Sequence, residues 1–466
     1  MPTLLYFLYL LNLLYFLLLK CGFARVLLLK STALFLAAEI LMATELLGKS
    51  KSELREFCAG LGEPAYRGGQ IYHALYAERK FDVTRMTNLP AALRERLASE
   101  ARITLPGVRQ RYTSQDGSVR YLFALPAGAE GKGKSFNTEN TEGTESTEKS
   151  KAAVEKGATK RATPPASAEA VFMPCEGRQT ICVSTQAGCA VDCQFCLTAQ
   201  LGLIRNLTPG EILAQVLVPL EEQRPELAPA FASALLEVPL ETPGKRGKQS
   251  KPFAAPLEAR GKQGKQTNVV LMGQGEPLLN FEAVMAALRI LLDPEGIGIS
   301  PKHVTLSTSG IVPGIERLGQ ERVRPKLAIS LNASNDEQRD ALMPINRKYR
   351  LATLLEACKR YPLRPWEHLT FEYVMLGGVN DSPEDARRVV RLLAPLKSVK
   401  VNLIPWNPGE LPYRESSADA IEEFRKILVD RGVPAFVRYS RGRDVMAACG
   451  QLALRETSSS PLPVLG

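Results

Sequence analysis

Histidine is scarce in this sequence: only three histidines occur among 466 residues, and none lies between His73 and His303. Zinc sites need a fourth cysteine or histidine near a three-cysteine set, so this gap disfavours zinc in the middle of the chain. The nine cysteines are odd in number and mostly widely spaced. This pattern excludes the disulfide framework of a small secreted protein.

The charge excess is moderate, with 59 Lys and Arg against 49 Asp and Glu, a net charge of +10. Such an excess is compatible with nucleic-acid binding but does not prove it. The length allows a large core and two or three domains. No internal repeat of solenoid period is present.

Residues 3–19 are apolar except for Asn12 and stand at the short limit for a membrane-spanning helix. A secretory signal is not indicated, because the first three residues carry no charge and no clear small-residue cleavage site follows. Two interpretations are open for 1–42: a membrane anchor, or an extension upstream of a translation start at Met42. We favour the start at Met42 and expect no stable membrane partner.

Three cysteines, Cys189, Cys193 and Cys196, form a C-x3-C-x2-C cluster. Thiols this close in sequence can converge on one small object. Soft sulfur ligands select iron–sulfur clusters, and three ligands leave one corner of a four-iron cluster open for chemistry. The alternatives are a zinc site and three unrelated buried cysteines. The pattern favours one [4Fe-4S] cluster and therefore a reducing, cytoplasmic location.

An alternation of strand and helix patterns runs through the second half of the chain and predicts an α/β fold with a parallel sheet and right-handed crossovers. Predicted strands lie at 179–185, 268–272, 303–308, 326–331, 369–375 and 399–404, with a short seventh at 435–439. Predicted helices lie at 208–222, 281–292, 312–319, 335–342 with 351–361, 383–394 and 416–431.

Polar residues recur where these predicted strands end, and reacting groups collect at that edge in barrels of parallel strands. Each has an ordinary alternative as a turn or a cap, and the shared location is what indicates function. The residues are Gly275, Glu276, Ser307, Ser330, Leu331, Asn332 and Asn407.

Composition divides the chain further. Residues 43–127 form a small mixed α/β module, and 128–168 and 223–266 are poor in large apolar side chains, which is typical of a linker and an insertion that stay disordered. The remaining parts are a barrel domain over 169–455 and a tail at 456–466.

The cysteine cluster with Phe195 before its last cysteine resembles the radical S-adenosylmethionine (radical SAM) signature. GQGEP (273–277), TLSTSG (305–310), AISLNASND (328–336), NLIPWNP (402–408) and AACGQL (447–452) resemble the RlmN family in order and spacing, over 43–455. The resemblance implies a partial (βα)6 barrel, with 43–127 as an accessory RNA-binding domain. It also implies methylation of C2 of adenine in 23S rRNA and tRNA.

By the same resemblance, Cys189, Cys193 and Cys196 hold the [4Fe-4S] cluster, and the seven strand-end residues bind S-adenosylmethionine, two molecules per turnover. Asn332 departs from the family pattern, because many relatives have histidine there. Cys449 carries the methyl group as S-methylcysteine and joins the RNA covalently. Cys182 resolves that adduct through a Cys182–Cys449 disulfide, and Glu169 is the proton acceptor. A reducing partner such as flavodoxin and a monomeric state are expected.

Two other functions stay open at this point. A Cfr-like adenine C8-methyltransferase of 23S rRNA shares the cysteines, and a non-catalytic RNA-binding protein could carry a structural cluster. The target base must leave its stack to react, so a flipped or single-stranded adenine is expected. Arg441 and Arg443 are either phosphate contacts or loop charges.

Overall fold

A computed structural model of the chain describes residues 43–125, 166–223 and 266–452. The apolar run at 3–19, the tail at 456–466, and most of the linker and insertion lie outside these ranges. Within them, no helix combines the length and apolar character needed to cross a membrane. The chain divides into two compact units between Thr104 and Leu105.

The first unit is a small helical module closed by a two-stranded parallel sheet. Ser50 starts its first helix with a capping box, in which the Ser50 hydroxyl accepts from the Glu53 N–H and the Glu53 carboxylate accepts from the Ser50 N–H. Apolar side chains of all three helices form its core, among them Leu54, Ile71 and Leu97. Its elements are β1 Thr44–Glu45, α1 Lys51–Gly60, α2 Tyr66–Tyr76, α3 Ala91–Glu100 and β2 Ala101–Arg102.

The hairpin that follows belongs to the second unit. Strands β3 (Gly107–Thr113) and β4 (Val119–Ala124) pair with each other, and β4 pairs along its whole length with β5 (Ser167–Cys175). Composition predicted a domain over 43–127, which would include this hairpin, and a linker that extends to 168. The structure instead ends the first unit at Thr104 and starts a strand at Ser167, because both segments complete the sheet of the second unit.

A ten-stranded sheet organises the second unit, in the order β14-β13-β12-β11-β10-β9-β6-β5-β4-β3. The seven strands from β14 to β6 are parallel, and β5, β4 and β3 continue as an antiparallel extension. Sequence-adjacent strands lie side by side, as in a barrel that remains open. The further strands are β6 Arg178–Cys182, β7 Gln186–Gly188, β8 Leu203–Asn206, β9 Gln266–Leu271, β10 Val304–Thr308, β11 Lys326–Ser330, β12 Leu369–Met375, β13 Val399–Pro405 and β14 Ala435–Val437.

A helix follows each parallel strand from β6 to β13, so the predicted partial barrel of six strand-then-helix units is confirmed. Capping boxes at Thr208 and Ser382, each with proline at the next position, fix where two of these helices begin. The helices are α4 Leu197–Gln200, α5 Pro209–Glu222, α6 Phe281–Leu292, α7 Val312–Gln320, α8 Asp336–Leu342, α9 Leu351–Arg360, α10 Pro383–Leu393 and α11 Ala418–Asp430.

Candidate active site

The cysteine loop follows β6 at the carboxyl edge of the sheet and lies between the paired strands β7 and β8. The Cys189 N–H donates to the Gly202 carbonyl at 3.0 Å, and the Gln194 N–H donates to the Leu342 carbonyl at 3.0 Å. Cys193 and Cys196 pack against an apolar cluster that includes Phe195, Met343 and Trp406. The loop is therefore fixed to two neighbouring elements and shielded from water on one side.

The three thiols face one cavity and influence one another electrostatically, since Cys189 and Cys196 both raise the pKa of Cys193. Burial raises the pKa of Cys189 to about 12, although the Val191 and Gly275 N–H groups donate to its sulfur. Coordination would reverse this shift, because a metal-bound thiol is deprotonated. Within the described ranges, no three His, Cys, Asp or Glu side chains converge on a point that suits one metal ion. Three thiolates at one cavity suit an iron–sulfur cluster, in which each cysteine sulfur binds a separate iron.

Gly275 and Glu276 follow β9 and lie beside the cysteine loop. Gly275 has φ of +96°, and a Cβ there would lie 2.5 Å from the Gln186 Cβ, so the position requires glycine. The Glu276 carboxylate accepts from the Leu278 N–H at 3.0 Å and from the Ser309 N–H at 2.7 Å. Burial nevertheless raises the pKa of Glu276. The protein thus holds this carboxylate in place at the cavity wall.

The predicted site residues at the ends of β10 and β11 divide into two groups. Ser307, Ser330 and Asn332 line the same cavity as the cysteines, whereas Leu331 is not among its lining residues and has a fully buried side chain. Asn332 adopts a left-handed backbone with φ of +56°, and its side-chain oxygen accepts from the Val374 N–H at 2.8 Å. An amide suits this structural bond, which gives Asn332 a role besides any contact with the cofactor.

The Cys449 loop is tied to both the cysteine loop and the end of β13. Asn407 donates from its side-chain nitrogen to the Cys449 carbonyl at 3.0 Å and to the Ser440 hydroxyl at 2.9 Å. The Leu197 N–H donates to the Gly450 carbonyl at 2.8 Å. Leu197 and Gly450 are more than 200 residues apart in the sequence, and the fold joins their segments by hydrogen bonds.

Cys449 lies where two cavities meet, together with Met272 and Ile404. The first cavity holds the iron-ligand candidates and most of the strand-end residues, and the second holds Cys182. The first is lined by Cys189, Val191, Cys193, Phe195, Cys196, Thr198, Leu271, Met272, Gly273, Gly275, Glu276, Ser307, Thr308, Ser309, Ser330, Asn332, Met343, Glu372, Val374, Ile404, Trp406, Asn407, Cys449 and Gly450. The second is lined by Met173, Cys175, Arg178, Thr180, Cys182, Val270, Met272, Ile404, Arg438, Tyr439, Ser440, Arg441, Ala447, Ala448, Cys449 and Leu452.

Cys182 and Cys449, two of the three cysteines that line the second cavity, have different surroundings. Cys182 is buried among Val171, Ala447 and Leu452, and this burial raises its pKa well above the ordinary thiol value. Cys449 keeps exposed surface toward the cavities, yet desolvation by the surrounding protein raises the pKa of its thiol to about 11. Cys182 and Cys449 are close enough to interact electrostatically, because Cys449 contributes to the raised pKa of Cys182.

Glu169 lies on β5, outside the lining of either cavity. Its carboxylate pairs with Arg120 at 2.7 Å, and both side chains are buried. The Gln274 side chain donates to the other carboxylate oxygen at 3.1 Å. The structure therefore brings Glu169 close to the GQGEP loop but does not open it to Cys449.

Glu372 and the two residues linked to it by hydrogen bonds, Asn402 and Arg438, were not singled out from the sequence. Glu372 in β12 lines the first cavity and accepts from the Asn402 side chain at 2.9 Å, and Asn402 accepts from Arg438 at 3.1 Å. Burial raises the pKa of Glu372 to about 7. A charged residue inside the apolar run LTFEYVM was the available signal.

The sequence left open whether the two arginines near Cys449 are phosphate contacts or loop charges. In the structure, both have acidic partners. Arg441 binds Asp116 and the Pro174 carbonyl, and Arg443 binds Glu415 at 2.9 Å. These contacts anchor the loop before Cys449 and favour the structural interpretation for both.

Comparison with known proteins defines first the class and then the family. Residues 245–392 match the Radical SAM superfamily, and a crystal structure of a radical SAM methyltransferase from Sphaerobacter thermophilus is 36% identical with a TM-score of 0.69, over 88% of this chain and 100% of that one. The open barrel with its cysteine loop is thus a radical SAM fold.

Further matches place the chain in one family within this superfamily. Residues 44–103 match the Ribosomal RNA large subunit methyltransferase N-terminal domain. A probable dual-specificity RNA methyltransferase RlmN from Koribacter versatilis is 43% identical, over 85% of this chain and 98% of the relative. The RlmN of Anaeromyxobacter dehalogenans is 40% identical, over 88% and 92%. The chain belongs to the RlmN family of radical SAM RNA methyltransferases.

Proposed function

We propose that this protein methylates C2 of adenine in 23S rRNA and in tRNA, with Cys449 as the residue that carries the methyl carbon. The observation that carries the proposal is the position of Cys449 on the wall shared by two cavities. One cavity has the donors for a [4Fe-4S] cluster and S-adenosylmethionine, and the other has Cys182 and exposed basic side chains. A thiol at this junction can load on one side and react on the other.

Each residue has a defined part in this scheme. When bound, one S-adenosylmethionine would supply the methyl group, and the cluster with a second S-adenosylmethionine would supply the electron and the radical that removes one hydrogen atom from this methyl group. Cys189, Cys193 and Cys196 hold the cluster, and Gly275, Glu276, Ser307, Ser330, Asn332 and Asn407 form the cofactor wall, with the buried Leu331 behind it. Cys449 accepts the methyl group as a thioether. C2 of adenine is electrophilic, so a carbon centre carried by the protein suits it better than a methyl cation equivalent.

Release of the product needs a base and a second thiol. Glu169 takes the proton from C2, and its arginine partner favours the ionised carboxylate that this role requires. Because Glu169 lies behind Gln274, that side chain must shift when RNA binds. Cys182 then forms an S–S bond with Cys449 while the C–S bond to the RNA breaks. The electron pair stays on the carbon, which takes up a proton to complete the methyl group.

The second cavity is the proposed entry for the RNA. Arg178 and Arg438 are exposed at its mouth and would contact phosphates, which supplies affinity independent of sequence. An exposed reducible cluster implies a reducing compartment such as the cytoplasm, with flavodoxin or a similar reductant and a monomeric enzyme.

The test is an anaerobic assay of the reconstituted full chain on defined 23S rRNA and tRNA fragments, followed by nucleoside mass spectrometry. The expected product is 2-methyladenosine in both RNAs. An 8-methyladenosine product would replace the proposal by the Cfr-like function. No methylated product in the presence of an intact cluster would favour the non-catalytic RNA-binding function.

A further inference from the structure

A fully buried arginine connects the ends of two strands at the site. Arg339, in α8, is 0% exposed. Its guanidinium donates to the Ser309 carbonyl at 2.7 Å, to the Ser330 carbonyl at 3.1 Å and to the Leu331 carbonyl at 3.1 Å. Ser330 is the last residue of β11, and Ser309 and Leu331 are the first residues after β10 and β11. A planar guanidinium has five donors in a fixed fork, whereas lysine has three donors on one nitrogen and cannot reproduce this geometry.

The same helix supports the cysteine loop. The Leu342 carbonyl at the end of α8 accepts from the Gln194 N–H, and Leu342 and Met343 pack with Cys193 in one apolar cluster. Ser309 and Ser330, whose carbonyls accept from Arg339, line the same cavity as Cys189, Cys193 and Cys196. Arg339 therefore stands between the cysteine loop and the strand ends of the cofactor wall.

The positive charge of Arg339 persists at neutral pH. Burial lowers its pKa only to about 10. Asp336 and Asp340 offset part of the charge, and Cys358 faces it as well. The Asn346 amide separates the two carboxylates from the guanidinium, because it accepts from Arg339 at 3.1 Å and donates to each carboxylate at 2.8 Å. The guanidinium thus keeps its positive charge while it bonds the carbonyls at the strand ends.

We propose that Arg339 is a positioning residue that raises the reduction potential of the cluster held by Cys189, Cys193 and Cys196, and that fixes the strand ends that bind S-adenosylmethionine. This inference rests on the proposed cluster ligands. Reduction adds negative charge, so a nearby buried cation stabilises the reduced state more than the oxidised one. Cluster potentials respond to net charge, hydrogen bonds and exposure, and a low dielectric strengthens the charge effect.

The test compares Arg339→Gln, Arg339→Lys and a control, Arg324→Gln, in the full chain reconstituted anaerobically without RNA. Arg324 is also a buried arginine, but it lies just before the start of β11. It bonds Tyr361 and the Pro362 carbonyl. Potentiometric titration followed by electron paramagnetic resonance gives the cluster potential, and equilibrium binding gives the affinity for S-adenosylmethionine.

Arg339→Gln is expected to shift the potential to more negative values and to weaken S-adenosylmethionine binding at least tenfold. Arg339→Lys should keep most of the potential but lose affinity, and Arg324→Gln should change neither. An Arg339→Gln protein with an intact cluster at the wild-type potential would overturn the proposal. If that variant takes up no cluster, wild-type affinity in Arg339→Lys would overturn it instead. A wild-type protein that binds no iron would contradict the proposed function itself.

Discussion

The two cavities that meet at Cys449 are built in different ways. In the first, the polar side chains are nearly buried and already hydrogen-bonded to the protein: Glu276 to Ser309, Asn332 to Val374 and Asn407 to the Cys449 carbonyl. In the second, the rim is open, and Tyr439 is 64% exposed. A small ligand of fixed shape benefits from a preorganised wall, whereas a large RNA needs an accessible one. The difference supports the proposal that the first cavity binds the cofactor and the second binds the substrate.

The largest effect is expected when the shared thiol is removed. Cys449→Ala should abolish RNA methylation, with a loss of at least about a thousandfold, because the residue is the proposed nucleophile. The cluster absorbance and S-adenosylmethionine binding should remain. Nucleoside mass spectrometry and iron analysis check both.

Cys175→Ala is the matched control for this thiol. Cys175 is exposed and lines only the second cavity. It should retain activity, and a comparable loss in both variants would remove the special position of Cys449.

The preorganised wall can be broken at Gly275. An alanine there would combine a left-handed backbone with a clash against Gln186, at a cost of about 2–5 kcal/mol in stability. Urea unfolding should show this loss, together with weaker S-adenosylmethionine binding. Gly177 also has positive φ, +68°, but a Cβ there meets nothing within 4 Å. If Gly177→Ala were equally destabilising, backbone strain alone would explain the result.

Glu372 makes the first cavity sensitive to pH. Its pKa is raised from 4.5 to about 7, so the folded state binds a proton more tightly than the unfolded state does. Stability should therefore fall as pH rises from 4.5 to 7, by about 3 kcal/mol at most. Arg438 and Lys400 face this carboxyl and limit the shift.

Glu372→Gln keeps an acceptor for Asn402 and removes the ionisation. The variant should be more stable than the wild type at pH 8, with the gap closing toward pH 4.5. Thermal unfolding across this pH range measures the gap, and a gap that does not vary with pH would show that Glu372 does not titrate in this window.

Most of the barrel could be predicted because each strand and helix carries its own local pattern. The predicted 369–375 and 281–292 match β12 and α6 residue for residue. The pairing of β4 with β5 could not be predicted, because β5 follows a low-complexity segment and its partners in β4 are distant in sequence. Composition placed a domain boundary at 127. Composition does not show that the β3–β4 hairpin pairs with β5, a strand more than 40 residues later.

The site shows the same division. Cys189, Cys193 and Cys196 lie close in sequence, and strand ends of a parallel sheet share one edge, so their convergence was accessible. Buried charges such as Arg339, Glu372 and Arg120 were not, because their roles depend on which carbonyls and carboxyls the fold places around them. A charged residue in a helix is usually exposed, and the sequence of α8 alone gives no reason to treat Arg339 differently.

The smallest effect is expected at the open rim of the second cavity. Arg178 is exposed at the start of β6, so Arg178→Gln should leave the fold, the cluster and S-adenosylmethionine binding unchanged. RNA affinity should fall several-fold, and the slope of log affinity against log salt should decrease by about 1, as for one lost phosphate contact. Arg391→Gln is the control, because this exposed arginine pairs with Glu384 on α10 and does not line the cavity. Equal salt slopes for wild type and Arg178→Gln would show that the RNA backbone does not pass this rim.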